Sequence, residues 1–168
     1  REMAPAAFTP AVFLDNGKEI DFETAVASGA AVGVPGTVRG WHEALERYGT
    51  MSFKQVLAPA IGVATKGFPV SETFNKLVTE NERKFQQFST TSALYLRNGK
   101  AVTPGTQLRN PDMAKAYREI AARGYKAFYE GPMARAIVGA VNQPPVAKGA
   151  NAGASVRPGR MTLADLAN

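Results

Sequence analysis

Cysteine is absent from the sequence, and histidine occurs once, as His42, among 168 residues. The lack of cysteine excludes disulfides, thiolate metal ligands and a cysteine nucleophile, and it leaves the redox compartment undefined. A single histidine argues against a zinc cluster, which draws on several histidine or cysteine ligands. His42 lies beside the apolar stripe of a predicted helix and has no catalytic partner near it in sequence, so we interpret it as a packing residue.

A long apolar run and a cluster of like charges are also lacking. No apolar stretch approaches the ~20 residues needed to cross a bilayer, so the sequence predicts no transmembrane helix. The formal net charge is +6, but lysine and arginine are interleaved with acidic residues along the chain. We therefore expect no nucleic-acid partner, because such a partner requires basic residues grouped on one face.

Helical periodicity is the main signal that the sequence does contain. A first helix is predicted over 37–48, with Thr37 as its cap and with Trp41, Leu45 and Tyr48 on one stripe. The strings RYGT, TKGF and ARGY are typical of helix ends at which glycine takes the left-handed conformation. Each string is therefore predicted to stop a helix.

Capping signals place two further helices after the first. Ser52 and Gln55 form a capping box for the second, which Pro59 is predicted to kink. The third is predicted over 71–88 and is the longest of the set, because its apolar residues keep a helical spacing throughout.

Two proline-initiated helices follow. Asn110 supplies a cap for a fourth helix over 111–123, and Gly131-Pro132 repeats the device for a fifth that ends near residue 142. Between the third and fourth helices, the string ALYLRNGKAVTPG predicts a short hairpin that turns at Asn98-Gly99. An earlier polar turn is expected between Asp15 and Asp21, which lack the ligand spacing of a calcium-binding EF-hand loop.

Taken together, these signals predict a mainly α fold: a helical lobe of about five to six helices with a short β-hairpin. Residues 1–36 are interpreted as an extended or loop segment, and 37–142 as the helical lobe. Residues 143–160 are rich in proline, glycine and small side chains, and are predicted to form a flexible loop. Residues 161–168 begin a truncated helix that Thr162 is expected to cap.

Six strings in order resemble the large subunit of bacterial gamma-glutamyltransferases, which are N-terminal-nucleophile hydrolases with a larger α/β architecture. The resemblance covers nearly the whole chain and accounts for both of its ends, because it implies that the chain is an internal piece of that subunit. The strings are REMAP (1–5), VGVPGTVRGW (32–41), YGTMSFKQVLAPAI (48–61), GFPVS (67–71), AFYEGPMARAI (127–137) and MTLADLA (161–167).

The resemblance implies that Arg1 binds the α-carboxylate of a γ-glutamyl substrate such as glutathione. A guanidinium suits that role because its planar donors match a carboxylate bidentately. The nucleophile implied by the family is the terminal threonine of the small subunit, which is cut from the same precursor and is the implied protein partner. No catalytic residue, cofactor or metal is expected within this chain, and the threonines at 37, 50, 90 and 162 are interpreted as caps or turn residues.

The resemblance leaves the acyl group open, because cephalosporin acylases and poly-γ-glutamate depolymerases share the architecture. A non-enzymatic helical module that binds a partner protein is a further alternative. By family habit the protein is expected in the periplasm, without membrane insertion. The isolated chain is expected to be inactive and to self-associate through exposed apolar faces.

Overall fold

The computed structural model describes residues 2–149 and 156–167. The described chain is mainly helical, as predicted. Its helices outnumber the five or six expected, because short helices lie between the long ones. None of these helices combines the length and apolar character that a membrane crossing needs. The α-helices are α1 (Phe22–Val26), α2 (Thr37–Tyr48), α3 (Phe53–Lys66), α4 (Glu72–Glu80), α5 (Glu82–Gln86), α6 (Ser89–Tyr95), α7 (Pro111–Arg123), α8 (Lys126–Tyr129), α9 (Gly131–Asn142) and α10 (Leu163–Ala167).

Short antiparallel strand pairs join the helices: β1 with β2, β3 with β6, and β4 with β5. Asn98 and Gly99, between β4 and β5, have φ values of 51° and 78°, which is the signature of a type I′ turn and confirms the predicted hairpin. Asn16 and Gly17 repeat it with 50° and 78°, which confirms the earlier polar turn. The strands are β1 (Leu14–Asp15), β2 (Lys18–Glu19), β3 (Phe68–Pro69), β4 (Leu96–Arg97), β5 (Lys100–Ala101) and β6 (Gln107–Leu108).

The described residues form two compact units. The first unit takes its residues from 1–50, 124–144 and 151–168, and the second from 51–123 and 145–150. Each unit therefore combines segments that are distant in sequence.

In the second unit, α3 packs against α7, and both helices begin as the sequence predicts. The Ser52 hydroxyl accepts a hydrogen bond from the Gln55 amide at 3.3 Å, and Gln55 Oε1 accepts one from the Ser52 amide at 2.8 Å. The Asn110 side chain caps α7 by accepting from the Met113 amide at 2.9 Å. α3 runs on through Pro59 to Lys66; the kink at Pro59 stays a prediction.

The third predicted helix, over 71–88, is wrong in its extent. Ser71 caps α4 as expected, since its hydroxyl accepts from the Phe74 amide at 3.1 Å. However, α4 ends at Glu80, and Asn81 leaves the helical conformation with φ −110° and ψ 10° before α5 begins. The longest described helix is α3, with 14 residues.

Glu82 supplies a physical reason for this break. Its carboxylate accepts hydrogen bonds from the Ala101 amide at 2.8 Å and from Lys100 Nζ at 3.2 Å. These bonds, the amide first, hold the pKa of Glu82 below its ordinary value. They tie α5 to the β4–β5 hairpin, and a contact between residues so far apart in sequence does not show in helical periodicity.

We predict that Glu82→Gln lowers the melting temperature at neutral pH and that the difference from the parent disappears in acid. The pKa of Glu82 is depressed in the folded chain, so its contribution to stability is complete above its ordinary value of 4.5 and is lost as pH falls through the folded value. Melting curves by circular dichroism from pH 7 to pH 3 test this. Glu80→Gln is the control, because Glu80 is exposed at the end of the preceding helix. A Glu82→Gln deficit that stays constant across the range would contradict the prediction.

The core of the second unit lies beside the hairpin. Leu94 and Tyr95, expected within the hairpin, belong instead to α6, and Leu96 is the first strand residue. The helical turn lets Leu94 and Tyr95 pack on the buried cluster, which a straight strand would not do for two successive side chains. The buried cluster consists of Val70, Val102 and Leu108.

The core of the first unit is carried by α9, α10 and the residues before α10. Ala134, Met161 and Leu166 are all fully or almost fully buried. The side-chain amide of Asn142 (Nδ2) donates a hydrogen bond to the Met161 backbone carbonyl at 2.8 Å. This bond joins the end of α9 to the residues before α10. The predictions of a fifth helix ending near residue 142 and of a short final helix are therefore confirmed.

The flexibility predicted for the loop over 143–160 stays a prediction, and backbone hydrogen bonds hold the described residues at both of its ends. In the second unit, the Ser89 amide donates to the Pro145 carbonyl at 2.9 Å. In the first unit, the Gly159 amide donates to the Val141 carbonyl at 2.8 Å. Composition missed these bonds because backbone groups make them, whatever the side chain. Residues 150–155 of the predicted loop lie outside the described residues.

Candidate functional site

Arg1, the predicted substrate-binding residue, lies outside the described residues. The residues that follow it are fixed within the first unit. The Met3 carbonyl accepts a hydrogen bond from the Val34 amide at 2.7 Å, and Pro5 is buried. The strings REMAP and VGVPGTVRGW are therefore in direct contact.

Asp165 provides a second anchor for this segment. Its Oδ1 atom accepts a hydrogen bond from the Ala6 amide at 2.8 Å. Its Oδ2 atom accepts from the Thr162 amide at 2.7 Å and from the Thr162 hydroxyl at 2.8 Å. The hydrogen bond from the Ala6 amide lowers the pKa of Asp165 the most, and the two hydrogen bonds from Thr162 lower it further. The carboxylate is therefore ionised at neutral pH and joins the N-terminal segment to the start of α10.

The N-terminus of α2 is capped differently from the prediction. Thr37 is the first helical residue, Gly36 is the N-cap, and no side chain of the cap residue makes the capping bond. Instead, the hydroxyl of buried Tyr129 accepts from the Arg39 amide at 3.1 Å. A partner in α8, so distant in sequence, gives no local signal, which is why the capping role of Thr37 was predicted wrongly.

These contacts surround an open groove of about 880 Å³, here called the N-terminal groove. Five of the six family strings contribute to its lining: REMAP, VGVPGTVRGW, YGTMSFKQVLAPAI (through Tyr48), AFYEGPMARAI and MTLADLA. Its volume lies in the range of small-molecule sites. The lining residues used below are Met3, Ala6, Arg39, Tyr48, Tyr129 and Asp165.

One wall of the N-terminal groove is formed by α2, and Tyr48 is the one residue of the predicted apolar stripe that lines it. Trp41 and Tyr48 on this helix are 47% and 85% exposed, so the stripe is not part of the core of the first unit. α2 ends at Tyr48 as predicted, but the C-cap residue Gly49 has φ −87° rather than the expected left-handed conformation. Glycine is needed there because a Cβ atom would meet the Leu45 carbonyl oxygen at 2.6 Å.

The other predicted residues have structural roles. His42 stacks on Tyr125 with ring centroids 4.4 Å apart, which confirms the packing interpretation. Asp21 caps α1 by accepting from the Thr24 amide at 3.0 Å. Within residues 2–149 and 156–167, no group of three or more histidine or acidic residues could hold a metal ion.

The described fold matches a solved structure along its whole length. The chain superimposes on the Helicobacter pylori gamma-glutamyltranspeptidase with a TM-score of 0.85 and 28% identity, covering 100% of this chain and 45% of that one. The fold is thus the helical part of an N-terminal-nucleophile hydrolase, as the sequence predicts.

A family profile described as Gamma-glutamyltranspeptidase matches residues 1–168, and the chain belongs to that family. The Bacillus subtilis (strain 168) glutathione hydrolase proenzyme is 41% identical over 138 residues, which are 82% of this chain and 23% of the relative. The acylase ACY 1 proenzyme of Pseudomonas sp. (strain SE83) is 39% identical over 112 residues, 67% of this chain and 20% of the relative. The chain therefore spans about a quarter of the length of these relatives.

Proposed function

We propose that these residues are part of the large subunit of an enzyme that cleaves γ-glutamyl amides such as glutathione and transfers the glutamyl group to water or an acceptor amine. The observation that carries the proposal is the convergence of five family strings on the N-terminal groove, among them the string to which Met3 and Ala4 belong. Family membership supports the reaction class. Contact with the same groove supports a shared role of these strings in binding the donor.

Arg1 is proposed to bind the α-carboxylate of the γ-glutamyl donor through paired N–H groups. The nucleophile is proposed to be the terminal threonine of a small subunit cut from the same precursor. Its hydroxyl oxygen attacks the γ-carbonyl carbon, and its own α-amine takes the hydroxyl proton and passes it to the departing amine. Water or an acceptor amine then attacks the acyl ester, which releases the glutamyl group and restores the hydroxyl.

The described chain supplies positioning rather than chemistry in this scheme. The threonines at 37, 50, 90 and 162 are all internal, so none has the free α-amine that serves as base. Large exposed apolar side chains of the first unit, including Phe22 at 76% and Tyr48 at 85%, support contact with further protein such as the small subunit. The isolated 168-residue chain is proposed to be inactive and to self-associate. Export to the periplasm is proposed from the family resemblance.

Expression of the complete reading frame tests the proposal. The mature protein should release 4-nitroaniline from γ-glutamyl-4-nitroanilide and glutamate from glutathione, and addition of glycylglycine should produce a γ-glutamyl peptide. The 168-residue chain alone should do neither. Absence of γ-glutamyl turnover by a correctly cleaved precursor would overturn the proposal.

An acylase on the same architecture is the second candidate, because ACY 1 is 39% identical over two thirds of this chain. The two candidates differ at the donor's α-amino group, which a glutaryl amide lacks although it keeps the carboxylate at the other end of the acyl chain. Turnover of glutaryl-4-nitroanilide faster than the γ-glutamyl compound would favour the acylase, and the reverse order the γ-glutamyl enzyme.

A further inference from the structure

Only a few described contacts hold the segment that carries Arg1. Its backbone bonds are the Val34 amide to the Met3 carbonyl at 2.7 Å and the turn closed by the Phe8 amide on the Pro5 carbonyl at 2.9 Å. The Ala6 amide lies within that turn and donates outward to Asp165 Oδ1. Asp165 is thus the side chain that fixes this turn relative to α10.

Asp165 is itself held firmly enough to act as an anchor. Both donors of Thr162 occupy its second oxygen, and the neighbouring residue Leu166 is 3% exposed. Met161, which precedes this capping turn, is 1% exposed and accepts from Asn142 of α9. A displacement of Asp165 would therefore require movement of the core of the first unit.

Comparison with Asp21, which caps α1, separates the hydrogen bonds of Asp165 that belong to helix capping from the one that does not. Its carboxylate accepts from the Thr24 amide at 3.0 Å and from the Thr24 hydroxyl at 2.5 Å. Asp165 makes the same pair of bonds to Thr162, and it also accepts from Ala6, which lies 159 residues away in sequence. The bond to Ala6 is the part that helix capping does not require.

We propose that Asp165 is a positioning residue for the γ-glutamyl donor, because its carboxylate holds the Ala6 turn, which follows closely in sequence on the residue proposed to bind the donor's α-carboxylate. The inference rests on the proposed function and assigns to α10 a share in donor affinity. Asp165 acts through Ala6 and the segment before it, and does not itself touch the substrate.

Two substitutions in the full-length protein break the same bond from opposite sides. Asp165→Asn keeps the shape of the side chain. When the asparagine oxygen accepts from Thr162, the side-chain NH2 group faces the Ala6 N–H, and this group cannot accept a hydrogen bond. Ala6→Pro removes the N–H and leaves the carboxylate intact. Proline is favoured at the second position of such a turn, which Ala6 occupies, so the turn itself is retained.

Each variant should raise KM for γ-glutamyl-4-nitroanilide about tenfold, the order expected from loss of one charge-assisted hydrogen bond, with a smaller change in kcat. The double variant should lose little more than either single one, because both remove the same contact. Asp21→Asn is the matched control and should leave KM within about twofold, since it disturbs a cap without the Ala6 bond.

The outcomes separate this inference from the proposed function. If the parent turns over the γ-glutamyl donor and Ala6→Pro leaves KM unchanged, Asp165 has no positioning role even if Asp165→Asn fails to mature. If Asp21→Asn raises KM as much as Asp165→Asn does, the effect is one of general stability and the inference is wrong. If the parent does not turn over the donor, the proposed function itself fails.

Discussion

Arg1→Lys in the full-length protein is expected to raise KM for γ-glutamyl donors by about ten- to a hundredfold. Lysine keeps the positive charge but offers a point donor in place of the planar fork, so the bidentate geometry is lost. Loss of a hydrogen bond to a charged group costs roughly 1.5–3 kcal/mol, which corresponds to that range. Initial-rate kinetics with γ-glutamyl-4-nitroanilide measure the effect.

Arg135→Lys is the matched control. Arg135 is exposed on α9 within the same unit and does not line the N-terminal groove, so this change should leave KM as it is. A parallel measurement with a donor whose α-carboxylate is amidated should show little difference between the parent and Arg1→Lys. Equal KM values for the parent and Arg1→Lys with the normal donor would remove Arg1 from the site.

Gly29→Ala is expected to destabilise the first unit by about 3 kcal/mol or more, which is at the upper end of overpacking effects. A Cβ atom on Gly29 would overlap the Val141 carbonyl oxygen and would meet the Gly159 amide nitrogen at 2.7 Å. These are backbone atoms, so no side-chain rotation relieves the clash. The Gly159 amide also donates a hydrogen bond to the Val141 carbonyl at 2.8 Å. This bond holds together the two segments that approach Gly29. Thermal and denaturant unfolding measure the loss.

Gly139→Ala, in the same unit, is expected to have the opposite effect on stability. Gly139 is exposed in α9, and no atom lies within 4 Å of an added Cβ. Alanine should therefore stabilise the helix by roughly 0.5–1 kcal/mol, through the difference in helix propensity. If Gly29→Ala and Gly139→Ala shift the melting temperature in the same direction, the close approach of Val141 and Gly159 to Gly29 is contradicted.

The contrast between these two glycines shows where sequence patterns stop being informative. Both are followed by alanine, and neither sequence context shows whether there is room for a Cβ atom. Only the approach of Val141 and Gly159, which are far along the chain, makes the Cβ position at Gly29 unusable. The same limit explains Glu82, whose bond to the hairpin ends a helix that periodicity alone extends to residue 88.

Local chemistry determined the parts of this protein whose partners are close in sequence. The capping box at Ser52, the caps at Asn110 and Thr162 and the Asn98-Gly99 turn appear where the residues predict them, because each bond closes within a few residues. The ordered strings likewise identified the family from sequence.

The tertiary structure decided how those parts form a site. Tyr129 caps α2, Asp165 holds Ala6, and the strings that carry the resemblance meet around one groove only after folding. Hydrogen bonds and close packing between distant residues depend on the path of the whole chain, and no spacing in the sequence encodes that path locally. The sequence by itself therefore determined most of the helix starts, the caps that close locally and the family, whereas the fold determined where one long helix is interrupted and which side chains hold α2 and Ala6.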